Sequence, residues 1–206
     1  MPKDDNYFER NGGKPTSLHS KIGPALQVLN LRPRKILEIG TSSGAGLDDL
    51  RRTFGAECHG VEPEADAVEA GRAAFPSLDL IVGKAGDVLP FPDATFDLVV
   101  FGFCLYLCDP ADYERIVGEA DRVLANPGTL VIADFCAKAP IIKPYRGRTD
   151  RNMHKRDFSE LFLALPHFRL LSRTYSETKG GVTFDPGEWE TVDVLRKDHG
   201  TPTEVM

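Results

Sequence analysis

The stretch Lys35-Ile36-Leu37-Glu38-Ile39-Gly40-Thr41-Ser42-Ser43-Gly44 decides how the rest of this chain is read. Its first half is a short apolar run that predicts a buried strand, and its second half is a Gly/Ser turn. Leu47, Leu50 and Phe54 follow at helical spacing, so the turn opens a helix. Gly40 lets a ligand approach the backbone closely, and the helix start beside it presents unpaired N–H groups. The turn is not a P-loop, because no Gly-Lys-Ser/Thr follows. It also fails Gly-x-Gly-x-x-Gly, because Ser42 and Ala45 stand where that pattern needs glycines. Taken alone, it could also be a tight strand-to-helix turn that binds nothing.

Reading outward restricts the choice. Cys58 to Glu62 is a second strand, and Pro63 starts the next helix, where its missing N–H costs nothing. Leu78 to Val82 is a third strand. Phe96 to Phe103 is a fourth, apolar almost throughout and so buried on both faces. A helix with Tyr113, Ile116, Val117, Ala120 and Val123 on one face follows. Asn126-Pro127-Gly128-Thr129 then predicts a turn and Leu130 to Ala133 a fifth strand. Strands alternating with helices predict a parallel sheet covered on both faces. Ligands of such sheets bind at the carboxyl ends of the strands, here after Ile39, Glu62, Val82, Phe103 and Ala133. Glu62 closes the second strand 22 positions after Gly40, where a carboxylate can accept from both ribose hydroxyls. A surface glutamate is the alternative.

The flanks are less regular. Residues 1–16 form a polar arm containing Tyr7 and Phe8. Leu18, Ile22, Leu26 and Leu29 then fall at helical spacing, with Pro24 kinking that helix or delaying its start. Lys138 to Arg156 is a basic insert. Asp157 to Leu165 predicts a helix, and Phe168 to Ser176 and Glu188 to Arg196 predict strands.

Further motifs carry a resemblance. They are Gly83-Lys84-Ala85-Gly86-Asp87-Val88-Leu89-Pro90-Phe91, then Phe96-Asp97-Leu98-Val99-Val100, then Arg122-Val123-Leu124-Ala125-Asn126-Pro127-Gly128. With the Gly40 turn and Glu62, they resemble the class I S-adenosylmethionine-dependent methyltransferases over residues 35–135. The resemblance implies an α/β, Rossmann-like fold with a mostly parallel seven-stranded sheet and helices on both faces. It implies a single domain over 1–206: arm and helix 1–34, cofactor-binding core 35–135, basic insert 136–156, and the C-terminal part of the sheet 157–206. The arm and the insert would cap the site. The implied cofactor is S-adenosyl-L-methionine. Glu38, Gly40, Thr41, Ser42 and Gly44 would hold its methionine part, Glu62 its ribose, and Asp87 with the Ala85 backbone its adenine. Phe103, ending strand four, completes the set. Three departures stand out. Ser42 replaces the middle glycine of the turn. Asn126 and Thr129 replace a usual Lys and Gly. The adenine loop is one residue longer than the commonest form, with Lys84 where an acid often sits.

Chemistry excludes several subclasses. Enzymes that methylate DNA amino groups resemble one another in an Asn/Asp-Pro-Pro-aromatic run after strand four, where this chain has Phe103-Cys104-Leu105-Tyr106. Cytosine C5 enzymes need a nucleophilic Cys after Pro, but Cys104 follows Phe103 and reads as a core cysteine. Catechol-type enzymes use an Asp ending strand four and an Asp-Asn pair after strand five. Here Gly102-Phe103 and Asp134-Phe135 stand there, so no metal is expected. Aminopropyl transfer needs an acid-rich polyamine site, which the basic insert opposes. The expectation is methyl transfer to oxygen or nitrogen of a small molecule by in-line displacement. A non-catalytic cofactor-binding or scaffold protein of the same fold is the alternative.

Composition narrows the acceptor. The 206-residue chain is 41% hydrophobic and 27% charged, with net charge −6, which disfavours a nucleic-acid partner. No apolar stretch spans a membrane. Four cysteines without paired spacing predict reduced thiols and a cytoplasmic protein. Oligomeric state is not written in the sequence. The insert holds Lys138, Lys143, Arg146, Arg148, Arg151, Lys155 and Arg156 against Asp150 alone, a formal +6 that leaves −12 on the remainder. That asymmetry predicts an anionic acceptor bound by Arg146 and Arg148. Tyr145 and His154 could orient or deprotonate it, and Tyr106 would lie near the methyl. Tyr7 and His19 are expected to cover the site from the arm.

Overall fold

A computed structural model describes residues 19–145, 151–176 and 189–200. Nine strands are present among them: β1 (Lys35–Ile39), β2 (Glu57–Glu62), β3 (Asp79–Val82), β4 (Phe96–Gly102), β5 (Leu124–Phe135), β6 (Ile141–Pro144), β7 (Asn152–Lys155), β8 (Phe168–Ser176) and β9 (Glu190–Lys197). The α-helices are α1 (Ile22–Val28), α2 (Ala45–Phe54), α3 (Ala65–Ala74), α4 (Tyr113–Val123) and α5 (Ser159–Leu163). Seven strands form one sheet in the order β3-β2-β1-β4-β5-β9-β8. The first five are parallel, and β9 runs antiparallel to both β5 and β8.

Side-chain alternation splits the core into two layers. Ile36, Leu98, Val100 and Val131 point to one face, where Ile22, Leu26, Leu47, Leu50 and Val68 of α1, α2 and α3 cover them. Leu37, Val99, Phe101 and Ile132 point to the other, under Ile116 and Ala120 of α4 and Phe162 of α5. Both faces are buried, as a parallel sheet requires. Strand order reverses between β1 and β4, which opens a crevice above their carboxyl ends.

Three local readings change. Pro24 occupies the first turn of α1, where proline is tolerated, so the helix starts late and is not broken. β5 begins at Leu124 and absorbs the expected turn, because Gly128 to Phe135 pairs with Lys197 to Glu190 of β9. The basic insert is not a plain loop. β6 and β7 pair antiparallel in a sheet of their own, Ile141 opposite Lys155 and Pro144 opposite Asn152.

A buried ion network ties the segment before α5 to the last two strands of the sheet. Arg173 of β8 donates to both carboxylate oxygens of Asp193 on β9, each at 2.7 Å, and to Asp157 and Ser159 at 2.8 Å. The Asp193 side chain is only 2% exposed. Arg173→Met strips a buried carboxylate of its counter-charge, which costs roughly 3–5 kcal/mol. Urea unfolding at pH 7 should show that loss as a lower midpoint with an unchanged slope.

Candidate active site

A cavity of about 290 Å³ lies above the carboxyl ends of the strands. Its lining comes from the segments after β1 (Gly40 to Ser43), β2 (Glu62 to Glu64), β3 (Gly83 to Gly86) and β4 (Gly102 to Cys104, and Tyr106). The fifth contribution comes from Tyr145 and Arg151 at the ends of the β6–β7 hairpin.

The turn after β1 is shaped by left-handed backbone. Gly40 and Gly44 have φ of +78° and +81°, and Ser42 between them has φ +52°. A Cβ on Gly40 would overlap Cys104, and one on Gly44 would come within 2.8 Å of Leu78 Cδ1. Ser42 holds a conformation that costs a side chain about 1–2 kcal/mol. Its N–H donates to Glu62 Oε2 at 2.8 Å, and its buried Oγ has no partner among the described residues. Phe103 at the end of β4 is also left-handed, with φ +61°. Two of the four described non-glycine residues with positive φ thus line this one cavity. Such outliers concentrate at functional sites.

Buried acids brace the site. Glu38 is fully buried; its Oε1 lies 2.9 Å from His19 Nε2, and its Oε2 accepts from Thr41 Oγ1 at 2.8 Å. Burial alone would lower the His19 imidazole. The Glu38 carboxylate, aided by Asp49, reverses this and raises it above its ordinary value. Glu62 accepts from the N–H groups of Ser42 and Glu64, yet burial still pushes its carboxyl up to about 7. Asp134, ending β5, accepts from Leu105 N–H at 2.9 Å and Phe135 N–H at 2.7 Å, and burial raises it to about 7 as well. Cys104 and Cys108 are driven upward by burial, Cys108 to about 12, so both are thiols at neutral pH. Cys104 donates to Ile39 O at 3.1 Å.

In sequence and fold the chain is similar to known methyltransferases. Residues 37–132 match the family model described as "Methyltransferase domain". Over these residues the chain resembles a methyltransferase domain of the class I, S-adenosylmethionine-dependent kind. The chain is 37% identical to a demethylmenaquinone methyltransferase of Thermus thermophilus over 114 residues, 52% of this chain and 50% of that protein. It is 27% identical to a phosphoethanolamine N-methyltransferase of Plasmodium falciparum over 50% of this chain and 40% of that one. The chain therefore spans about half the length, or less, of the curated relatives it matches. In fold it is similar to a Burkholderia thailandensis 1,6-didemethyltoxoflavin-N1-methyltransferase, with TM-score 0.74 at 15% identity over 92% of this chain and 82% of that one.

The structure brings many of the expected residues together. Gly40, Thr41, Ser42, Glu62, Ala85, Phe103, Tyr106, Tyr145 and His19 all line the cavity. Glu38 and Gly44 stand behind it, holding the turn. Asp87 does not face it: the side chain is exposed and accepts from Lys84 N–H at 3.0 Å, closing the loop on itself. His154 sits opposite Ile142 in the hairpin, away from the lining. Lys155 turns inward and Arg156 reaches Glu160, so the insert does not act as one basic patch. Tyr7, Arg146 and Arg148 lie outside the described residues. Sequence reasoning counted Arg151 only among the insert's cations and gave no site role to Leu107, Cys108, Asp112 and Ile116, yet all five line the cavity. Among the described residues no three His, Cys, Asp or Glu side chains are grouped to hold a metal. No described helix is long and apolar enough to cross a membrane.

His19 leaves no room for a side chain at Gly46, whose Cβ would overlap its ring. Gly46→Ala should cost about 1–3 kcal/mol of stability, as overpacking does. Gly118, mid-way along α4 with open space around it, is the control, and Gly118→Ala should gain about 0.5–1 kcal/mol. Thermal melts of the two variants should move in opposite directions.

Proposed function

We propose that this chain transfers a methyl group from S-adenosylmethionine to an oxygen or nitrogen of a small anionic acceptor by in-line displacement. One observation carries the reading: a single cavity joins a polar end, at Ser42 and Glu62, to an aromatic end, at Tyr106 and Tyr145. The residues present fit the cofactor. Ser42 Oγ is buried without a partner among the described residues, and the buried Glu62 carboxyl lies next to it in the cavity lining. In this reading Gly40, Thr41 and Ser42 hold the amino-acid portion, Glu62 takes the ribose hydroxyls, and the Ala85–Gly86 backbone with Pro63 flanks the base. Glu38 and Gly44 position the turn from behind. When bound, S-adenosylmethionine supplies a methyl group already activated on a sulfonium sulfur. The chain's task is then alignment, an effect of up to ~7–11 kcal/mol in well-oriented systems. Tyr106 and Tyr145 orient the acceptor, and an acceptor that enters ionised needs no base.

The relatives bear names of unlike acceptors, a demethylmenaquinone and a phosphoethanolamine, so neither is transferred to this chain. The anionic class rests on Arg151, the insert cation that lines the cavity among the described residues. The whole chain acts as one domain in this reading, with the arm and hairpin as its cap. A cytoplasmic location is in keeping with four free cysteines. Labelled S-adenosylmethionine added to cell extract with the protein should label a small acid. Cofactor binding with no labelled product would favour a non-catalytic binding role.

Glu62 gives the assignment a pH signature. Ribose hydroxyls donate to the ionised carboxylate and so favour it. Below about pH 7 the free protein holds a proton on Glu62 that binding must displace. Affinity for S-adenosylhomocysteine should therefore rise with pH and level off above about 7. Below that, Kd should weaken by up to about tenfold per pH unit. Without ligand the sign is opposite: the raised carboxyl makes the folded state bind more protons, so this stability contribution falls as pH climbs from 4.5 to about 7. Calorimetry across pH 5.5–8.5 checks the profile. Glu62→Gln should flatten it and weaken binding roughly 10–150-fold at the plateau.

A further inference from the structure

We infer that the aromatic end of the cavity is a subsite for a flat aromatic ring bearing an acidic group, with Arg151 as the cation that receives the acid. The inference rests on the methyl-transfer reading and names the acceptor class within it.

One wall is a packed aromatic triangle. Phe103 lies 4.9 Å from Tyr106 and 5.0 Å from Phe135, ring centre to ring centre, and Tyr106 meets Phe135 edge-on at 5.2 Å and 84°. Phe103 and Tyr106 face the cavity. Phe135 backs them, and the Lys155 ammonium sits 3.8 Å from its ring centre, buried to 3% exposure. A desolvated cation on a ring face is a strong contact, so the wall is held from behind. Asp134 fixes the 105–107 turn that carries Tyr106.

The other wall belongs to the hairpin. Tyr145 is 4% exposed and lines the cavity, and the Arg151 guanidinium lies 5.6 Å from its ring centre. Tyr145 N–H donates to Arg151 O at 2.8 Å, so backbone and side chains hold the pair together. β7 packs directly on the 105–107 turn, bringing the two walls together. Leu107 and Ile116 add apolar lining.

Rings set at steep angles offer edges and faces to a third ring, which a puckered or branched aliphatic group fills poorly. The charge at this end is also asymmetric. Of the lining acids, Asp109 caps Ala111 N–H and Asp112 is paired with Arg115. Arg151 is exposed, and among the described residues its guanidinium meets the Tyr145 ring and no carboxylate. A guanidinium fork suits a carboxylate or an acidic enol or phenol oxygen.

The test uses the full chain saturated with S-adenosylhomocysteine and four probes: benzoate, benzamide, cyclohexanecarboxylate and benzylammonium. Ligand-observed NMR titration reads each Kd. Benzoate should bind about tenfold or more tightly than each of the others. Arg151→Met should remove its advantage over benzamide, and Tyr145→Leu its advantage over cyclohexanecarboxylate, with S-adenosylhomocysteine affinity within twofold of the parent. The wild-type ranking needs no variant, so a variant that fails to fold leaves the test intact. Benzoate binding no tighter than benzamide or cyclohexanecarboxylate, or benzylammonium binding best, overturns the subsite. Failure of S-adenosylhomocysteine to bind at all overturns the methyl-transfer reading instead.

Discussion

The parallel register of β1 on β4, from Ile36 opposite Leu98 to Ile39 opposite Phe101, constrains every other feature of the site. It sets the Gly40 turn directly beside the loop that begins at Phe103. There the Cys104 side chain occupies the space a Cβ on Gly40 would need, and its thiol donates to Ile39 O. Strand order diverges from this pair in both directions, so helices leave the crevice above it uncovered. A one-residue slip of β1 would turn Leu37 to the opposite layer and lift the turn off Cys104. Apolar packing on both faces of the sheet therefore places the polar chemistry at its end.

Carboxylates carry that placement into the loops. Glu38, Glu62 and Asp134 each stand at or near the end of a strand, and each is buried. Two of them act on a neighbouring strand's loop. Glu62 of β2 holds the Ser42 N–H of the turn after β1. Asp134 of β5 holds the Leu105 N–H of the turn after β4. Glu38 holds its own turn through Thr41 and reaches out to His19 at the edge of the N-terminal segment. Buried acids are costly unless their lone pairs are met, so each forces the surrounding N–H groups to converge. The left-handed backbone at Ser42 belongs to this balance: the strain is opposed by a charge-assisted hydrogen bond from its own N–H.

How much of this was legible follows from the range of each signal. The first five strands and the helices between them were readable, because alternation and helical spacing are local patterns that burial imposes directly. Glu62 was readable because the strand and turn lengths fix its distance from Gly40 along the chain. Asp87 misled, because a short acid can bond a backbone N–H three residues away as readily as a ligand, and Lys84 N–H supplies that partner. The hairpin was hidden. Ile141-Ile142-Lys143-Pro144 lacks alternation, ends in proline, and leaves Ile142 66% exposed. With the hairpin unseen, seven cations looked like one patch. Pairing sends Lys155 under Phe135, Arg156 to Glu160 and Arg151 to the cavity, and charge counting cannot separate those fates.

The two ends of the cavity are built to different standards of constraint. Around the Gly40 turn, glycines with no room for a Cβ, strained backbone and buried acids leave few side chains free to vary. The aromatic end draws on a 3-10 turn and a hairpin whose strands, among the described residues, pair with each other and not with the main sheet. Its stiffness comes from side chains, chiefly Lys155 on Phe135 and Arg151 on Tyr145. Exchanging Tyr145 or Arg151 would reshape the lining without touching the β1–β4 register or the acids that hold the turn. A fold built this way can keep one cofactor site and change its acceptor through a few hairpin residues, because function resides in the site and not in the sheet.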